Sequence, residues 1–141
     1  MTILGLDPGK SGGIAWIMDG KPCVEKMPDT IQDLWDLIQD ISMPTNCRAF
    51  IEQVGPMPKQ GVTSCFTFGN GFGHLEMALT GNRIPFERVR PQVWQKSLGC
   101  LTKGDKNVSK RKAQELFPEL KVTHATADSI LIAEYGRRLG L

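Results

Sequence analysis

Apolar residues first come in short runs and only later at helical spacing, and that change of rhythm divides the chain. Ile3, Leu4 and Leu6 form a compact apolar run closed by Asp7, which reads as a buried strand. Pro8-Gly9 turns the chain, because proline fixes φ and glycine tolerates the left-handed region. Residues 12–18 read as a second strand, and Asp19-Gly20 is a hairpin turn leading to a third over 23–27. After Pro28-Asp29-Thr30, a helix start, Ile31, Leu34, Trp35, Leu37, Ile38 and Ile41 recur at helical spacing as far as Ser42. Residues 48–54 form the next strand, in which Glu52 shares a face with Phe50 and Val54.

The second half is mostly helical. Residues 55–61 carry Pro56 and Pro58 and read as a loop. Residues 64–80 read as a helix with Phe68, Phe72, Leu75, Met77 and Leu79 as its apolar set. Gly69, Gly71 and Gly73 cost that helix up to about 1 kcal/mol each relative to alanine. Such a cost points to close backbone approach, either to a neighbouring strand or to a partner. Residues 84–89 form a strand, and Pro91 opens a short helix carrying Val93, Trp94 and Leu98. Residues 99–107 read as a loop, Ser109 as the N-cap of a helix over 110–117, and Thr123 or His124 as the start of a last helix ending at Arg137-Arg138. Three strands followed by alternating helices and strands predict a mixed α/β sheet with helices on its faces.

A chain of 141 residues fits one domain, 1–141, burying roughly two-thirds of its unfolded surface. Its 40% apolar and 23% charged residues are ordinary for a globular chain, and no apolar stretch reaches the ~20 residues of a membrane helix. The N-terminus starts on a strand pattern, without a basic and then apolar leader, which argues against secretion and an organelle and for the cytoplasm of a bacterium or phage-infected host. Cys23, Cys47, Cys65 and Cys100 are scattered, so reduced, mostly buried thiols are expected rather than a disulfide framework or a zinc site.

The net charge of +2 conceals an uneven distribution. Arg83, Arg88, Arg90, Lys96, Lys103, Lys106, Lys110, Arg111 and Lys112 crowd one stretch against only Glu87 and Asp105, while residues 19–52 are acidic. A solvated basic face accounts for this, and so does a polyanion site.

Asp7 ends the first strand, Glu52 lies near the end of a later one, and Asp128 sits near the start of the last helix, with His124 four residues before it on the same helical face. Carboxylates gathered at one sheet edge repel unless a cation neutralises them. Oxygen ligands suit Mg²⁺ or Mn²⁺, and a pair of such ions clamps a phosphodiester during in-line attack by water. Each residue also has a plainer account: an Asx turn for Asp7, a strand-edge acid for Glu52, a helix-start hydrogen bond for His124 and a dipole partner for Asp128.

Ile3-Leu4-Gly5-Leu6-Asp7-Pro8-Gly9 with Ser11-Gly12-Gly13, then Phe50-Ile51-Glu52-Gln53, then His124 to Gly136, together resemble the RuvC-type Holliday junction resolvases of the ribonuclease H-like superfamily. The likeness runs the length of the chain. It is nearest to phage and plant-chloroplast members, which share the glycine-bearing helix and the Leu116-Phe117-Pro118 segment. The D-x-G turn alone is weakly specific, because sugar kinases and actin-like ATPases carry it. Bacterial members place an acid where this chain has Ala125, so the fourth role passes to His124, as a ligand or as the residue that positions or deprotonates water.

The resemblance implies a ribonuclease H-like mixed five-stranded sheet. It implies a homodimer acting on four-way-junction DNA, with two Mg²⁺ (or Mn²⁺) ions per site. Asp7 would hold both ions and Glu52 and Asp128 one each, and the cut would leave a 5′-phosphate and a 3′-hydroxyl. Lys103, Lys106, Lys110 and Arg111 would grip phosphates, with Lys10, Lys59 and Arg90 as further candidates, and Gln60, Phe66 and Phe68 would probe unstacked bases. The glycine-bearing helix would form the dimer surface. Other readings are a nuclease for flaps or other branched DNA, a non-catalytic junction-binding module, and an ATP-binding fragment; a single domain copy disfavours the last.

Overall fold

The computed structural model describes residues 1–56 and 58–141. Of the loop expected over 55–61, Met57 therefore lies outside the described residues. The elements are β1 (Thr2–Asp7), β2 (Gly13–Met18), β3 (Lys21–Lys26), α1 (Ile31–Ser42), β4 (Cys47–Glu52), α2 (Val62–Gly81), β5 (Phe86–Val89), α3 (Pro91–Ser97), α4 (Lys106–Leu116) and α5 (Ala127–Arg138).

The strands form one mixed five-stranded sheet in the order β3-β2-β1-β4-β5. β1, β2 and β3 are antiparallel neighbours, and β2 joins β3 at Asp19-Gly20 by a two-residue turn in which both residues are left-handed (φ 52° and 74°). β4 runs parallel to β1, and β5 parallel to β4. Alternation along each strand sends side chains to two cores. Ile3, Ile17 and Phe50 pack with α5, Trp94 and Ala113 on one side, while Leu4, Leu6, Ile14 and Ile51 meet α1 and α2 on the other. α5 is buried along nearly its whole length and crosses β1, β2 and β4. No described helix is long and apolar enough to cross a membrane.

Several expectations shift. Met77 is exposed because α2 buries Leu75, Ala78 and Leu79, and a step of two from Leu75 turns a side chain about 200° around the helix. Among the described residues, a Cβ on Gly69, Gly71 or Gly73 would meet nothing within 4 Å, so no described strand approaches them. Ser109 is not a cap. α4 begins at Lys106 because the Asp105 carboxylate accepts from the Asn107 amide at 3.0 Å, leaving Ser109 a buried residue inside the helix. Only Cys100 of the four thiols is buried; Cys23 sits exposed on the edge strand β3.

Candidate active site

The parallel register that pairs Leu6 with Ile51 carries Asp7 and Glu52, one residue further on, to the same edge of the sheet. Asp128 reaches them from the first turn of α5, where a carboxylate also meets the positive end of the helix dipole. One carboxylate oxygen from each of Asp7, Glu52 and Asp128 lies within 4.8 Å of the others. The turn after β1 leaves this edge open. Gly12 folds back against the Asp7 carbonyl, where any Cβ would overlap it, and the Gly12 amide donates to the Gly9 carbonyl at 3.1 Å.

Gathering three acids in a half-closed site raises their proton affinity. Burial, and then the charges of Glu52 and Asp128, push the Asp7 carboxyl up to about 8, against a smaller opposing pull from Lys106. Burial pushes Glu52 up to about 7, opposed by a hydrogen bond from Trp94 and reinforced by Asp128. Asp128 is raised by burial and held back by the Ser109 hydroxyl and by Lys106. Such a cluster is short of positive charge, and its three carboxylates are the donor set that a divalent cation with oxygen preference would take.

Two of these partners escape a reading of the sequence. Trp94 reads as core, and it is core, but its Nε1–H donates to Glu52 Oε2 at 2.7 Å from a position 42 residues away. Ser109 reads as a cap and instead serves Asp128. No local pattern announces either contact.

Asp7 and Asp128 line a cleft of about 500 Å³ walled by the turn after β1, the start of α4 and the start of α5, while Glu52 lies buried behind them. Lys10, Lys106 and His124 line it, as does Phe68, whose ring leans towards Gly9. His124 does not share a helical face with Asp128. The Thr126 amide donates to the Thr123 carbonyl at 3.2 Å, and the Thr123 amide to the Thr126 hydroxyl at 3.1 Å. That closed turn delays α5 to Ala127, leaves His124 exposed in the turn, and keeps it out of the three-carboxylate cluster.

Lys59, Phe66, Arg90, Lys103, Lys110 and Arg111 do not line this cleft. Lys103 lies in the loop before α4, Lys110 and Arg111 lie on α4, and Arg90 caps α3. Phe66 is 75% exposed on α2. Gln60 and Lys10 border a second groove of about 790 Å³, between α2 and the approach to α1, which meets the first at Gly9, Lys10 and Phe68. Arg88 is drawn out of the basic stretch, held by Glu76 through Nε at 2.8 Å and Nη2 at 2.9 Å and stacked over Phe72.

No family model matches the chain, and no curated relative does. Solved structures do. Thermus thermophilus RuvC superposes with a TM-score of 0.68 over 99% of this chain and 97% of that one, at 15% identity. The fold is that of RuvC. A second structure, T. thermophilus RuvC in complex with Holliday junction substrate, matches with a TM-score of 0.68 at 14% identity, covering 99% of this chain and 96% of that one. At such low identity the RuvC likeness is one of fold, which leaves the chemistry to be argued from this chain's own residues.

Proposed function

We propose that this protein is a metal-dependent endodeoxyribonuclease that resolves four-way DNA junctions by symmetric paired nicks. The observation that carries the reading is the convergence of Asp7, Glu52 and Asp128 within 4.8 Å, two of them lining a cleft, in a RuvC fold. That the T. thermophilus neighbour is in complex with a Holliday junction substrate supports the choice of substrate.

Asp7, Glu52 and Asp128 would hold two Mg²⁺ or Mn²⁺ ions, with Asp7 taking part in both. Bound there, the ions supply Lewis-acid activation of a water and charge neutralisation at the phosphate. The protein orients the partners. Lys106, close enough to pull on both Asp7 and Asp128, adds a fixed positive charge for the scissile phosphate. His124, on the cleft wall and outside the carboxylate cluster, receives the proton of the attacking water.

Lys10, Lys103, Lys110 and Arg111 hold flanking phosphates, with Lys59 and Arg90 further out. Gln60, Phe66 and Phe68 meet unpaired bases at the junction centre. Two such sites related by a dyad fit two symmetric nicks. α2, with Met77 exposed and open space over its glycines among the described residues, is the surface for the second copy. The test is a Mg²⁺-dependent cleavage assay comparing a four-way junction with linear duplex, flap and RNA–DNA hybrid. Paired nicks confined to the junction support the proposal, and equal cutting of all four rejects it.

A further inference from the structure

We propose that Trp94 is a positioning residue, whose indole N–H fixes the orientation of the Glu52 carboxylate for cation binding. The proposal rests on the reading of Asp7, Glu52 and Asp128 as a metal site. Trp94 has no exposed surface and is packed in the core formed by Phe50, Val89, Leu98 and Cys100. An indole so enclosed cannot turn, and its Nε1–H is its one polar group. That group points at Glu52 Oε2 at 2.7 Å, the short distance of a bond to a charged acceptor.

A buried indole needs some acceptor, and a backbone carbonyl would satisfy it. Here the acceptor is one oxygen of a carboxylate that also faces Asp7 and Asp128. Left alone, a glutamate side chain has rotamers to choose from, and its two oxygens are equivalent. Engaging Oε2 with a donor that cannot move sets the carboxylate plane and leaves Oε1 for a cation. Outer partners of this kind hold metal ligands in place in known metal sites, and losing one typically weakens metal affinity 10- to 100-fold. Because α3 follows β5 directly, this bond ties the edge of the sheet opposite β3 to the site.

Three measurements on the whole chain test the proposal. Mn²⁺ binding is measured by calorimetry without DNA on wild type, on Trp94→Phe, and on a chain whose Trp94 side chain is the sulfur isostere benzothienylalanine, which keeps the shape and lacks the N–H. We expect affinity about tenfold weaker or more in both variants, with the thermal transition of the isostere close to wild type. In junction cleavage kcat should fall while KM stays unchanged. In wild type, the ¹⁵N-indole resonance of Trp94 should shift on titration with Mg²⁺, while those of Trp16 and Trp35 stay fixed. An isostere that binds Mn²⁺ within twofold of wild type overturns the positioning role, as does an indole resonance indifferent to Mg²⁺. Wild type that binds no Mn²⁺ overturns the metal reading beneath it as well.

Discussion

Gly5 and Ala133 meet backbone to backbone: a Cβ at residue 5 would overlap the Ala133 amide nitrogen and the Ser129 carbonyl oxygen. This close approach seats α5 on the central strand β1, and the two elements that touch there also carry Asp128 and Asp7. The spacing of the acids is therefore set two residues before the site, by an absent side chain.

Gly5→Ala should separate α5 from β1. Two rigid backbones, rather than a flexible side chain, oppose the methyl, so the cost should reach or exceed the ~1–3 kcal/mol usual for overpacking. Chemical denaturation measures it. A loss below about 0.5 kcal/mol would mean that the helix rides off the strand freely. Any folded fraction should bind Mn²⁺ more weakly, because Asp128 moves with the helix.

The acid cluster gives the metal-free protein an unusual pH dependence. Asp7 at about 8 and Glu52 at about 7 lie above the ordinary values of 3.8 and 4.5. The folded chain therefore holds protons more tightly than the unfolded chain. Stability contributed by these groups is complete below the unfolded values and is lost as pH rises through the folded ones. Without metal, the thermal midpoint should fall between about pH 5 and pH 8.5. Mg²⁺ should restore it, most strongly at the high end. Asp7→Asn, which removes the carboxyl raised furthest, should flatten the fall and abolish Mg²⁺-dependent nicking while retaining junction binding. A midpoint that rises across this range would show that the acids are neither buried nor coupled as described.

The fold was legible in the sequence wherever a local rule decides the outcome. The Asp19-Gly20 turn, the strand run ending at Asp7, the strand that carries Glu52 (ending two residues short of the expected 48–54) and the helix after Thr30 all follow from patterns spanning a few residues, and the three acids accordingly converge. What was not legible depends on competition or distance. Asp105 outcompetes Ser109 as a cap, and the Thr123–Thr126 turn takes residues that spacing alone gives to α5. Trp94 finds its acceptor across 42 residues of chain. α2 shows the third limit: among the described residues its glycines face open space, and no pattern along the chain says what that space is for.

Lys106 lines the cleft from the first turn of α4, and Lys110 and Arg111 follow one turn further along the same helix, where phosphates of a bound strand would pass. Replacing all three with alanine should weaken junction binding and reduce the slope of log affinity against log salt by about 2–3, close to one for each phosphate left without its cation. Fluorescence anisotropy over a salt series reads this directly. An unchanged slope would place the DNA path away from α4.

His124 separates the ligand account from the base account. It lines the cleft in the turn before α5 and lies outside the carboxylate cluster. If its imidazole takes the proton of the attacking water, His124→Ala should lower kcat by about 10²–10⁴, the range for a lost general base. Mn²⁺ affinity, junction affinity and thermal midpoint should stay near wild type, because the side chain is exposed and the Thr123–Thr126 turn forms without it. A large loss of Mn²⁺ affinity with retained folding would instead make His124 a ligand. A near-normal cleavage rate would remove it from the chemistry and leave the three acids and Lys106 to perform it.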